Sequence, residues 1–238
     1  MGSKILGNNL FKRVLTALVL IPIVVYIVIK GGIFIDLFLG LIFVIATYEV
    51  ITIVNNDKNL SFLNKLIWII PILIYIGLSI YCIRCVINSN SGISPFFLIL
   101  TIWVFDTAAY FAGSLIGGAK LCPKISPKKT WSGLFGGIVI TFLFPITFCL
   151  FYELIKNKFT LDFSEFVNSE GIGYLIAYGF VGMFSGLIGQ IGDLLESWFK
   201  RRFDVKDSGN ILPGHGGVLD RMDSIFLSAF FWYILACM

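Results

Sequence analysis

The sequence predicts an all-α fold: a polytopic bundle of about seven to nine transmembrane helices, forming a single integral membrane domain over residues 1–238. Three observations predict it. Hydrophobic residues make up 58% of the chain and charged residues only 13%, against roughly 45–50% and roughly 25% in a soluble domain. The apolar residues fall into runs about as long as a bilayer-spanning helix. Lysine and arginine collect between alternate runs.

Seven runs can be read, at about 14–30, 33–54, 66–87, 95–117, 131–154, 172–195 and 222–238. At roughly 20 residues per span, a chain of 238 residues has no room left for a separate soluble domain. Residues 1–100 read as N-terminal membrane helices; 101–238 supply helices and loops that carry the chemistry. The first run follows Lys12 and Arg13, like a secretory signal, but no small-residue cleavage site follows it, so it reads as an uncleaved helix. The polar loops are 55–65, 118–130, 155–171 and 196–221.

Counting basic residues on alternate sides of these seven runs gives orientation. One side holds Lys4, Lys12, Arg13, Lys58, Lys65, Lys120, Lys124, Lys128, Lys129, Lys200, Arg201, Arg202, Lys206 and Arg221; the other holds Lys30, Arg84, Lys156 and Lys158. Fourteen against four predicts a cytoplasmic N terminus and places the loops 118–130 and 196–221 in the cytoplasm. The same distribution explains the net charge of +4 as membrane topology rather than as nucleic-acid binding. Cys82, Cys85, Cys122, Cys149 and Cys237 are dispersed and read as buried, unpaired thiols, with neither a disulfide framework nor a zinc site.

Within the fourth run, Asp106 of "DTAAYFAGSLIGG" stands where a carboxylate costs at least a few kcal/mol, so it is expected to face the bundle interior and to have a partner. The loop after it, "GAKLCPKISPKKT", can be simple positive-inside anchoring to anionic headgroups. But Pro123 and Pro127 stiffen it around Ser126, Lys128, Lys129 and Thr130, and compact charge with fixed donors is also what a phosphate needs.

The densest chemistry is "GDLLESWFKRRFDVKDSGNILPGHGGVLDRMDS", residues 192–224. If the sixth run stays helical to about residue 200, Asp193, Glu196, Ser197 and Lys200 share one face. Asp220 and Asp223, three apart at the start of the last helix, share another. Carboxylates facing each other across a bundle suit a hard divalent cation, which takes oxygen ligands and commonly shares them with substrate phosphates. Gly214, Gly216 and Gly217 allow backbone N–H groups to approach an anion. His215 can cap a turn, bind phosphate or act as an acid; the residues leave this open.

"SWFKRRFDVKDSGNILPGHGGVLDRMD", residues 197–223, resembles the signature of the phosphatidate cytidylyltransferases, also called CDP-diacylglycerol synthases. "DTAAYFAGSLIGG" and "SPKKTW" resemble that family's upstream motifs in order and spacing. The motif-bearing part covers about half the chain, 106–224; one departure is Ser132, where relatives often carry an acidic residue. The resemblance implies transfer of the cytidylyl group of CTP to phosphatidic acid, giving CDP-diacylglycerol and pyrophosphate, at the cytoplasmic face of a bacterial-type inner membrane. It implies Mg²⁺ as cofactor, with a monovalent cation such as K⁺ compatible, and a homodimer as a family-level expectation. Asp193 and Asp220 are the implied metal ligands, with Asp223 next. Lys200, Lys206 and Arg221 would hold CTP or pyrophosphate; Ser126, Lys128, Lys129, Thr130, Ser197 and the three glycines would bind substrate phosphate. Asp207 and His215 join the catalytic set without a stated role. Two rivals are weighed against this. An anion transporter needs polar residues spread through the spans, whereas here most lie at one face. A CDP-alcohol phosphotransferase needs an Asp-Gly then Ala-Arg array that is absent.

Overall fold

The computed structural model describes residues 18–89, 94–156, 163–211 and 216–237. They form seven helices: α1 (Leu18–Lys30), α2 (Gly32–Asn55), α3 (Phe62–Asn88), α4 (Ser94–Ile116), α5 (Trp131–Lys156), α6 (Phe163–Arg202) and α7 (Leu219–Cys237). A hairpin of β1 (Lys120–Cys122) and β2 (Ser126–Thr130) lies between α4 and α5. Each predicted apolar run corresponds to one helix. Among the described residues, five helices are long and apolar enough to cross a membrane; Leu18–Lys30 is shorter. The start of α7 carries Asp220, Arg221 and Asp223, which keeps it out of that set although its later part is apolar.

The outer faces of the helices are as apolar as their interior. Leu37, Leu41 and Val44 on α2 and Ile67, Ile70 and Ile74 on α3 are all exposed. Water would penalise such a surface and lipid does not. This is a multi-pass membrane protein.

The helices group into two compact units, one of residues 1–95 with 192–238, the other of residues 96–191. The grouping is not sequential: the end of α6 and α7 group with α2 and α3. In the first unit, α1 passes into α2 through Gly31 and Gly32, whose φ of 60° and 54° lie in the left-handed region that lets a chain reverse at once. One stripe of α2, Ile35, Leu39, Ile42, Ala46, Glu49, Val50 and Ile53, is buried at helical spacing. It faces α3, which also packs against α7. Ser61 caps α3 by accepting from Asn64 N at 3.3 Å. At the far end of this pair, Arg84 of α3 forms a salt bridge with Asp36 of α2.

In the second unit, small residues let helices approach closely. A side-chain carbon on Gly133 or Gly136 of α5 would collide with Ala109 or Ala112 of α4, and one on Gly186 of α6 would strike Phe105. Thr101 and Ser185 hydrogen-bond between α4 and α6 at 3.0 Å. Three sequence expectations need correction. Asp106 does not face the interior: Thr101, Phe105 and the alanines occupy the inner face of α4, and Asp106 lies on its exposed side. The loop 118–130 contains a β-hairpin, because Ser126–Thr130 is extended and pairs with Lys120–Cys122. The stretch 155–171 is not a loop throughout, since α6 already starts at Phe163 and runs for 40 residues, about twice a bilayer span.

Candidate active site

The site is built where the end of α6 meets the start of α7. Glu196 and Lys200 are buried on α6, as the helical spacing predicts, and their side chains lie 3.2 Å apart. Asp193, one turn earlier, accepts a hydrogen bond from Ser197 Oγ at 3.2 Å. Trp68 of α3 fixes this end of α6, meeting Phe203 edge-on at 5.5 Å and Trp198 at 5.8 Å. The helix then stops in a Schellman turn: Val205 N donates to Lys200 O at 3.0 Å and Asp204 N to Arg201 O at 3.3 Å, with Asp204 at φ 55°.

Beyond the turn, Ser208 and Gly217 both contact Asp220. Lys200 Nζ lies 2.5 Å from Asp220 Oδ1, while Oδ2 accepts from Ser208 N and Gly217 N, both at 2.9 Å. Burial alone would raise the Asp220 carboxyl pKa, but the Lys200 ammonium and these two amides outweigh it and hold the group below the usual carboxylate range. Gly216 has a φ of 88°, and a Cβ there would stand 2.8 Å from Asp220 Oδ2, so only glycine fits. Gly217 is expected to offer its amide to a phosphate; here that amide serves Asp220.

Asp223 lies one turn further along α7, within electrostatic reach of Asp193 and Glu196. Lys200 thus stands between Glu196 and Asp220, with Asp223 within electrostatic reach of both Lys200 and Asp193. Both carboxylate oxygens of Glu196 are buried, with Lys200 Nζ 3.2 Å from Oε1 and the Asp223 carboxyl beside them. Glu196 and Asp223 also form part of the wall of a cavity of about 400 Å³. The rest of that wall is apolar, from Trp68, Pro71 and Tyr75 of α3, Leu195 and Phe199 of α6 and Phe226 of α7.

The other expected site residues are placed as follows. Lys206, Asp207 and Arg221 are exposed around the cluster. Gly214 and His215 lie outside the described residues. Ser126, Lys128, Lys129 and Thr130 belong to the second unit, on β2. There, Thr130 is buried and caps α5, accepting from Gly133 N at 3.1 Å. Its hydroxyl also contacts Ser132, which in turn donates to Gly117 O. Lys128 is exposed and Lys129 half-buried.

Sequence reasoning missed Glu49. This α2 carboxylate is 1% exposed and accepts from Val218 N and Leu219 N at 2.8 Å and from Ser208 Oγ at 2.9 Å. The signal that singled out Asp106, an acid inside an apolar run, applies equally to Glu49.

Two comparisons show what the chain is similar to. The profile of the Cytidylyltransferase family matches residues 57–238. The phosphatidate cytidylyltransferase of Rickettsia bellii is 37% identical over 224 residues, 93% of this chain and 88% of that protein. That of Rickettsia conorii is 35% identical over 228 residues, covering 96% and 91%. That of Bacillus subtilis is 37% identical over 198 residues, covering 82% and 65%. With a carboxylate cluster set beside an apolar chamber, and with most of the chain matched, the protein belongs to the cytidylyltransferase family.

Proposed function

We propose that this cytidylyltransferase acts on phosphatidic acid. A phosphate oxygen of the lipid attacks the α-phosphorus of CTP, the bond to the β-phosphate breaks, and CDP-diacylglycerol and pyrophosphate result. The observation that carries this reading is the apolar cavity with Glu196 and Asp223 in its wall. It provides hydrocarbon for an acyl chain and, at the same place, oxygen ligands and an ammonium for phosphate chemistry. The names of its relatives, phosphatidate cytidylyltransferases, support it.

A phosphate monoester has a second pKa of about 6 in the phosphoryl groups of proteins, so the nucleophile is largely ionised near pH 7. It needs no side-chain base. The barrier is instead the approach of one polyanion to another, which positive charge and in-line positioning relieve. Lys200 would supply a buried ammonium, and Lys206 and Arg221, both exposed, would meet the CTP phosphates. Asp220 orients Lys200 through their 2.5 Å contact.

The donor set suits Mg²⁺. Glu196 and Asp220 contact Lys200, Asp223 lies within electrostatic reach of Asp193 and Glu196, and the Glu196 oxygens are buried. No three acidic, histidine or cysteine side chains among the described residues converge closely enough to hold an ion unaided. Mg²⁺ is commonly bound by one or two carboxylates plus substrate phosphates. Asp193, with Asp223 next, would hold it; Asp220 is occupied by Lys200 and the amides of Ser208 and Gly217. Bound there, the ion would neutralise charge on the CTP phosphates. The charge bias of the loops supports a cytoplasmic site in a bacterial-type inner membrane.

The test is direct. Purified protein in mixed micelles with phosphatidate, Mg²⁺ and CTP labelled in the α-phosphate should yield label extractable into organic solvent, and EDTA should abolish it. No lipid-soluble label, or equal label without phosphatidate, would remove this substrate assignment.

A further inference from the structure

We infer that Glu49 of α2 is a positioning residue for the transfer reaction: it fixes the signature loop so that Asp220 and Lys200 are held in working geometry. The inference rests on the active site proposed above, although, among the described residues, Glu49 hydrogen-bonds to Ser208, Val218 and Leu219 rather than to Lys200 or its carboxylate partners.

Glu49 does three things at once. Its Oε1 accepts from Val218 N and its Oε2 from Leu219 N, both at 2.8 Å. These are N–H groups at the start of α7, which have no partner within the helix, and a carboxylate is favoured at that positive end. Its Oε2 also accepts from Ser208 Oγ at 2.9 Å. Ser208 passes the constraint on: its Oγ accepts from Asp220 N at 3.4 Å and its own N–H donates to Asp220 Oδ2 at 2.9 Å. Asp220 then holds Lys200 at 2.5 Å, and Lys200 meets Glu196 at 3.2 Å. A continuous line of polar contacts therefore joins a residue in the middle of the N-terminal helices to the buried end of the site.

The signature loop closes tightly on the Glu49 carboxylate. A Cβ on Gly217 would come within 2.6 Å of Glu49 Oε1 and 2.0 Å of Ser208 Oγ, and one on Gly209 within 3.0 Å of Oε1. These two glycines of the signature make room for a side chain that comes from another part of the sequence. Ala46, Val50 and Ile53 on the same face of α2 are buried and hold the helix that presents it.

Both oxygens are needed. Glutamine would turn an NH₂ toward one of three donors, and aspartate is one methylene too short to span them. In Glu49→Gln we expect kcat per folded molecule to fall at least tenfold, with KM for CTP and for phosphatidate within about threefold of wild type. Glu49→Asp should fail similarly. Exchange of the Val218 and Leu219 amides should be faster in both. Ser208→Ala removes one bond of the three and should lower kcat about three- to tenfold; it decides the matter alone if the Glu49 variants do not fold. Folded protein is counted from the monodisperse peak on gel filtration, and turnover is read both as lipid-soluble label and as pyrophosphate released from CTP. Wild-type kcat in Ser208→Ala, or a Glu49→Gln deficit confined to yield, overturns the inference. If wild-type protein releases pyrophosphate but labels no lipid, the substrate assignment fails instead, and the variants are still compared through pyrophosphate.

Discussion

The ammonium of Lys200 lies between two carboxylates on different helices, 2.5 Å from Asp220 Oδ1 on α7 and 3.2 Å from Glu196 Oε1 on α6. Removing one member of a buried ion pair leaves an uncompensated charge, with a typical effect of about 3–5 kcal/mol. Lys200→Met should therefore lower kcat/KM at least about a hundredfold, close to 2.7 kcal/mol of transition-state stabilisation, and should also lower Tm in detergent. Lys200→Arg keeps the charge but brings a larger planar group, so it should recover Tm more than activity. Near-wild-type turnover in Lys200→Met would take Lys200 out of the site.

Asp220 gives a pH signature. It stands ahead of the apolar part of α7, and its folded-state pKa is depressed: burial opposes the charged form, but Lys200 and the amides of Gly217 and Ser208 outweigh it. A depressed carboxyl contributes stability that is present above its unfolded pKa of about 3.9 and is lost as pH falls through the folded value. Wild type should thus exceed Asp220→Asn in Tm at pH 7, and the gap should narrow below about pH 4. Thermal melts from pH 7 to pH 3 check this; a constant gap would show that Asp220 contributes through shape alone.

Sidedness follows from the lysine and arginine count. In a cysteine-free background, cysteines at the exposed positions Lys124 and Asn210 should react with an impermeant thiol reagent from the cytoplasmic side only. A cysteine at exposed Asn88 should react only from the opposite side. Labelling of position 210 from outside would contradict the orientation and access of cytoplasmic CTP to the site.

The hairpin lysines separate anchoring from catalysis. If they only hold the hairpin at an anionic surface, arginine at either position is nearly silent, because the charge is unchanged. If they clamp a phosphate, the planar fork cannot take the place of a compact ammonium. Lys129 is half-buried and Lys128 exposed, so Lys129→Arg should show the larger loss, at least about tenfold in kcat/KM or roughly 1.4 kcal/mol. Wild-type kinetics in both variants would return the hairpin to anchoring.

What could be read from sequence was what depends on one element at a time. Helical spacing placed Glu196 and Lys200 on one face of α6, and hydropathy found each helix. What could not be read depends on packing between elements. Asp106 and Glu49 are both acids in apolar runs, and nothing local distinguishes them; only the neighbours of α2 and α4 make the first exposed and the second buried. The partners of Gly217 were hidden for the same reason. Its amide and the space it leaves are used by Asp220 and Glu49, one three residues away and the other far back in the chain. The α6 stop at Asp204 was hidden because an aspartate takes the left-handed position where glycine is usual.

The contact between Glu49 and Leu219 joins residues 170 apart, and this sets a constraint on biogenesis. At about 5–20 residues per second of synthesis, α2 waits on the order of ten to thirty seconds before the residues that satisfy its carboxylate emerge. During that interval a helix already committed to the bilayer carries an acid with none of its final donors, a state the membrane disfavours. The N-terminal helices therefore complete their assembly only when the last helix arrives. Chains that stop short of α7 should be recognised as unfinished at α2, far from the break itself.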